Sequence, residues 1–149
     1  MMSKLLALLL MIISTTLTFA QAKTKGELYA PLYTLYYPTN QWELTEENSN
    51  FLDIYIVQGI EKKDAPHCIV YLEGHADAVG NADYNQQLSQ KRVQAVADYL
   101  ISKGFTTDQI RVSYFGAAKP ETRAIAVSNK PKDIRHANRR VTIRIEIKV

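Results

Sequence analysis

The sequence predicts an α+β domain: a β-α-β-α-β-β sandwich with its helices packed on one face of a mixed sheet. Three observations carry that expectation. Val141, Ile143, Ile145, Ile147 and Val149 alternate with Thr142, Arg144, Glu146 and Lys148, a period of two over the last nine residues. Ala82 to Lys103 is a long helical segment with Val93, Val96, Ala97 and Leu100 on one stripe. His67 to Gly74 is a short apolar run of strand length.

The elements follow in order. Tyr29 to Tyr37 is rich in Tyr and Leu and favours a strand, which Pro38-Thr39-Asn40 ends. Thr45 stands at a helix start, with Glu46 and Glu47 in the first turn, where the helix dipole favours acids. Phe51, Leu52, Tyr55 and Ile56 continue at helical spacing, so a helix is expected over 46–60. In the next strand Cys68, Val70 and Leu72 share one face, and Ile69 and Tyr71 the other. That pattern suits a central strand covered on both sides. Gly80 breaks the chain, Asn81 is placed to cap the long helix, and Gly104 ends it. Ile110 to Phe115 is a further strand. A long loop is expected from Gly116 to Ala137.

The chain has 149 residues, of ordinary globular composition, with 46% hydrophobic and 22% charged residues. That length allows one domain and not two. Residues 1–22 have the three-part pattern of a secretory signal peptide: Lys4, the apolar run Leu5–Ile13, and the small residues Ala20 and Ala22 around Gln21. Residues 23–28 are a short polar lead-in, and residues 29–149 form the domain. A membrane span needs about 18 apolar residues, and this run breaks at Ser14. No transmembrane segment is expected once the signal is removed, and the periplasm is the expected location.

The single cysteine, Cys68, has no partner for an internal disulfide, and its apolar neighbours favour a buried hydrophobe over a reactive thiol. Charge is uneven. From Lys119 to Lys148 there are nine Lys or Arg and three Asp or Glu, against eight and twelve in residues 23–118. This basic end reads equally as a face for an anionic partner or as a solvated strand edge guarded by charge. It lacks interleaved aromatic residues, so nucleic acid is not an expected partner.

Chemistry concentrates in Gly74-His75-Ala76-Asp77-Ala78-Val79-Gly80, then Tyr84-Asn85 and Leu88-Ser89-Gln90-Lys91-Arg92. Asp77 lies just past a strand end. Asn85, Ser89 and Arg92 share a helix face that can look toward it. A carboxylate suits an ammonium group, and a guanidinium suits a carboxylate through two parallel hydrogen bonds. An amino-acid end would satisfy both. The plainer alternative is that Asp77 and Arg92 pair with each other. His75 and Asp77 also form an H-x-D pair, but His67 and His136 stand at no recognisable ligand spacing, so neither a metal nor a catalytic role is expected.

The segment GHADAVGNADYNQQLSQKR, followed by AVADYLISKGF, strongly resembles the OmpA-like peptidoglycan-binding domain of outer-membrane protein A, Pal lipoproteins and flagellar stator proteins. Asn138-Arg139-Arg140-Val141 matches the family's opening of the last strand, and YYPTNQWELTEEN matches its entry to the first helix. The resemblance covers about residues 30–149. It implies non-covalent binding of peptidoglycan through meso-diaminopimelate of the peptide stem, with no cofactor and no catalysis. By position, Asp77 would accept the ligand ammonium and Arg92 its carboxylate. Asn85 would support them, with Asn40, Val79 and Arg139 or Arg140 as rim contacts. Ala76 replaces the family Thr, and Ala117-Ala118-Lys119-Pro120 departs from the family after Gly116. An outer-membrane or envelope-complex protein is the further partner considered. The alternative function is a periplasmic interaction module of a flagellar or secretion machine that has lost wall binding.

Overall fold

The computed structural model describes residues 28–29, 32–60, 64–121 and 131–147. The expected signal peptide, and the lead-in as far as Glu27, lie outside the described residues.

The strands are β1 (Leu28–Tyr29), β2 (Tyr33–Tyr36), β3 (Cys68–Gly74), β4 (Ile110–Tyr114) and β5 (Arg140–Ile147). The helices are α1 (Glu46–Leu52), α2 (Ala82–Ser102) and α3 (Pro131–Asn138). The sheet order is β1-β5-β3-β4, with β2 also paired to β5. β5 runs antiparallel to β1, β2 and β3, whereas β3 and β4 are parallel. The architecture is the expected α+β, a mixed sheet with helices.

Local sequence accounts for the helix ends. The Thr45 hydroxyl accepts from the Asn48 N–H at 3.1 Å, and Asn81 Oδ1 accepts from the Asp83 N–H at 2.7 Å. Each satisfies one of the donors a helix start leaves free. The core lies between α1, α2 and one sheet face. Leu52 and Ile56 meet Val93, Val96 and Leu100 there, over Val70, Leu72, Val141 and Ile143. Gly74 lets α2 sit close on β3, because a β-carbon there would strike the Ser89 carbonyl and the Val93 side chain.

Several local expectations change. The strand expected over Tyr29–Tyr37 is two pieces, β1 and β2. The helix expected to residue 60 leaves α geometry after Leu52 and closes as a wider turn over Asp53–Val57, where the Gln58 N–H reaches the Asp53 carbonyl at 2.9 Å. Among the described residues β3 is covered on one side only: Cys68, Val70 and Leu72 are buried, Ile69 and Tyr71 half-buried, and Glu73 exposed. Tyr71 takes the Arg144 guanidinium over its ring at 4.0 Å, so among the described residues its apolar face is shielded by a cation and not by a second layer.

β5 is not a sheet edge: β3 lies on one side and β1 and β2 on the other. Its basic residues therefore guard no free strand. The stretch expected as loop before it contains α3. Its residues, Pro-Lys-Asp-Ile-Arg-His-Ala-Asn, are mostly polar and span only eight positions, so the apolar spacing of Pro131, Ile134 and Ala137 is too short a signal to separate a helix from a loop. The helix is fastened through side chains: His136 stacks on Tyr36 with centroids 5.2 Å apart, and Asn138 accepts from the Glu121 N–H at 2.7 Å.

Register places the site. Val141 pairs with Leu35 on one side and with Gly74 on the other. The antiparallel turns of the sheet therefore bring the residues after β2, the residues after β3 and those before β5 to one end.

Candidate functional site

At that end lies a hollow of about 440 Å³ lined by residues of all these segments. Thr39 and Asn40 come from the turn after β2. Ala76, Asp77, Val79 and Gly80 come from the loop after β3. Tyr84, Asn85, Leu88 and Arg92 come from α2, and Arg139 from the residue just before β5. Asp77, Asn85, Arg92, Asn40, Val79 and Arg139 are thus brought together. Arg140 is not among the lining residues. Neighbouring residues of extended chain point opposite ways, and Arg140 turns toward Glu121 (Nε to Oε2, 3.9 Å) and the Lys119 carbonyl.

The loop is held by its own side chains. Asp77 Oδ1 accepts from the Val79 N–H at 3.0 Å, closing a tight turn. Asn85 Nδ2 donates to the carbonyls of Asp77 and Val79, both at 3.1 Å. The expected supporting amide therefore sits under the loop and fixes its shape. The Ala76 N–H donates to the Gly116 carbonyl at 2.7 Å, and the Gly116 N–H donates to Ser89 Oγ at 2.9 Å. Gly116 has φ +53°, and a β-carbon there would press on Gln86. Asn40 also sits in the left-handed region, at φ 59°, a conformation asparagine tolerates better than most residues.

The two arginines of the hollow differ sharply. Arg92 is fully buried, at 0% exposure. Its Nε donates to the Gln41 carbonyl at 2.8 Å, Nη1 to the His75 carbonyl at 2.9 Å and Nη2 to the Pro38 carbonyl at 3.3 Å. Its Cζ stands 5.1 Å from the centroid of the Tyr37 ring. Burial, partly offset by Tyr37, lowers its pKa to about 10, so it stays charged at neutral pH. Arg139 donates through Nε to the Tyr37 carbonyl and through Nη1 to Asp77 Oδ2, both at 3.1 Å.

Asp77 therefore pairs with Arg139. No ion pair joins it to Arg92 among the described residues. The plain reading, in which Asp77 and Arg92 only neutralise each other, does not describe this site. Sequence spacing missed the Asp77–Arg139 pair because 62 positions separate the partners. It also missed the apolar floor. Leu88 is buried there beside Ala76, and Tyr84, 45% exposed, stands at the rim. Both belong to the helical face that carries Asn85, which was the available signal.

His75 faces away from this chemistry. Its ring packs on Phe115 at 5.6 Å, outside the hollow lining. Burial, and then the nearby Arg140, lower its pKa to about 4, with the Lys119 backbone acting in the opposite sense. Cys68 is buried, its thiol donating to the Ala65 carbonyl at 3.3 Å, and burial raises its pKa. This is the behaviour of a packed side chain. No described helix is long and apolar enough to cross a membrane.

Comparison with known proteins agrees with this architecture. The OmpA family model matches residues 36–139. Outer membrane protein A of Atlantibacter hermannii is 35% identical over 113 residues, covering 72% of this chain and 45% of that protein. The peptidoglycan-associated lipoprotein of Buchnera aphidicola subsp. Baizongia pistaciae is 32% identical over 113 residues, covering 74% of this chain and 60% of that one. The crystal structure of the peptidoglycan-associated lipoprotein from Burkholderia pseudomallei superposes with a TM-score of 0.63 at 23% identity, over 75% of this chain and 88% of that one. The fold is thus an OmpA-like α+β domain. The chain belongs to the OmpA family. It spans about half the length of the curated relatives described here.

Proposed function

We propose that this chain binds peptidoglycan in the periplasm, without chemical change, through the free amino-acid end of diaminopimelate in the peptide stem. Such binding would serve envelope integrity or the anchoring of an envelope complex. The supporting observation is the hollow itself. It sets the Asp77 carboxylate and the guanidinium groups of Arg92 and Arg139 around an apolar floor of Ala76 and Leu88. The acid suits the ligand ammonium, the guanidinium side suits its carboxylate, and the floor suits a short aliphatic stem. Asn40 and Val79, the latter 61% exposed, stand at the rim, where the rest of a stem would leave. A relative named as peptidoglycan-associated supports the same ligand. The periplasmic location rests on the signal-peptide pattern of residues 1–22.

Sedimentation with purified sacculi tests the reading. The wild-type chain is expected to pellet with them. Asp77→Ala is expected to stay in the supernatant while melting as a folded domain. Loss of a charged, desolvated contact costs about 2–5 kcal/mol. Arg92→Ala is expected to fail as well. Equal pelleting of all three would remove the hollow as the binding site.

A further inference from the structure

We infer that the outer edge of β2 is a docking site for an extended segment of a partner protein, one carrying a basic and an apolar residue two positions apart. The Tyr37 N–H donates to the Arg139 carbonyl at 2.9 Å. In an antiparallel ladder, residues that exchange bonds with the neighbouring strand alternate with residues that do not. Counted back along the β2–β5 register, Leu35 and Tyr33 turn their main chain to β5, and Thr34 and Tyr36 turn theirs to the outer edge. The Tyr36 carbonyl agrees, since it accepts from Asn48 Nδ2 of α1 at 3.4 Å. The N–H and carbonyl of Thr34 and the N–H of Tyr36 have no partner among the described residues. Such an edge is a template for one more strand.

A groove of about 530 Å³ lies beside that edge and shares no lining residue with the hollow. The strand from Thr34 to Pro38 forms one side, and α1 forms the other through Glu47, Asn48 and Phe51. The strand side is about 13 Å long, room for a segment of about five residues. α1 runs back along β2: the Phe51 ring meets the Tyr33 ring at 5.8 Å, and Asn48 reaches Tyr36. Glu47 and Phe51 stand one helical turn apart, a rise of about 6 Å. Side chains two apart on a strand share a face and lie about 6.6 Å from each other. The two spacings match. A docked strand thus sets one inward side chain against Phe51 and Leu35, and the next against the Glu47 carboxylate. The first has to be apolar and the second Lys or Arg. For a segment antiparallel to β2, the more stable pairing, the basic residue comes first. Charge also decides against a second copy of this chain. Glu43, Glu46 and Glu47 are exposed on the α1 side, and two copies meeting edge to edge would bring these carboxylates together, which is unfavourable.

The probe is a fluorescein-labelled peptide, Thr-Lys-Thr-Val-Thr with blocked ends, titrated with the full chain and read by fluorescence anisotropy. Wild type is expected to bind it saturably, and to bind the same peptide with Glu in place of Lys about fivefold more weakly, the scale of one exposed charge pair. Glu47→Lys is expected to reverse that preference. Thr34→Pro removes an N–H that β5 does not use, a change an edge strand tolerates. It is expected to weaken the probe about tenfold, the scale of a main-chain hydrogen bond, and to pellet with sacculi as wild type does. Probes methylated at alternate amides give a second reading on the wild-type chain, independent of whether Thr34→Pro folds. Methylation of residues 2 and 4, or of residues 1, 3 and 5 of the peptide, is expected to abolish binding for one set and spare it for the other. The proposal is overturned if wild type does not bind the probe, if both methylated sets act alike, or if Glu47→Lys keeps the preference for the Lys peptide. A dimer in sedimentation velocity that Thr34→Pro dissolves would overturn the partner segment and assign the edge to a second copy.

Discussion

Arg92 Nε and the Gln41 carbonyl oxygen lie 2.8 Å apart across 51 positions of sequence. That bond, with the two to His75 and Pro38, makes one buried cation the clamp between the first helix's approach loop and the loop after β3. Arg92→Lys removes the planar fork, and a lysine cannot reach three carbonyls spread around one plane. We expect a loss of about 2–4 kcal/mol, since buried carbonyls and a buried charge are left poorly partnered. Chemical denaturation monitored by circular dichroism checks it. An unchanged midpoint would remove the clamp.

Gly74→Ala tests the close packing of α2 on β3. The new methyl would meet the Ser89 carbonyl, which is helix backbone and cannot swing aside. A destabilisation of about 1–3 kcal/mol is expected from overpacking. The same denaturation measurement reads it, and a neutral result would show that the helix shifts freely.

Ser89→Ala isolates a single buried hydrogen bond. Ser89 Oγ accepts from the Gly116 N–H at 2.9 Å and donates to the Gln86 carbonyl at 2.8 Å. Removing the hydroxyl leaves a buried N–H without its acceptor, at a cost of about 1–3 kcal/mol. Amide exchange at Gly116 should accelerate beyond the change in global stability. Proportionate acceleration of all amides would argue against a local role.

The pH dependence of stability should carry the mark of His75. Burial, with Arg140 beside it, holds its pKa at about 4 in the folded chain, against an ordinary value of 6.5. Between these values the unfolded chain binds a proton that the folded chain does not. Stability therefore falls as pH drops from about 6.5 toward about 4, by about 3 kcal/mol in all. His75→Phe removes the titrating group and should flatten the decline in melting temperature between pH 7 and pH 5. Parallel curves for the two proteins would assign the decline to other groups.

The sequence alone determined the strongly periodic elements. The alternation of Val141, Ile143 and Ile145 specified β5, the Val93–Leu100 stripe specified α2, and Thr45 and Asn81 marked the helix starts. Each is a local signal: side-chain spacing or a cap readable within a few residues. α3 was not legible, because its apolar spacing runs over only eight mostly polar residues and it is held by Tyr36 and Glu121 from other parts of the chain.

At the site, the order of Asp77, Asn85 and Arg92 was legible, since helix periodicity puts the last two on one face beyond a strand end. Their partners were not. Only the register of Val141 between Leu35 and Gly74 brings Arg139 to Asp77, and turns Arg92 onto carbonyls of two distant loops. Strand pairing is set by contacts distant in sequence, so which cation meets the acid, and which cation holds the walls, was decided by the tertiary structure.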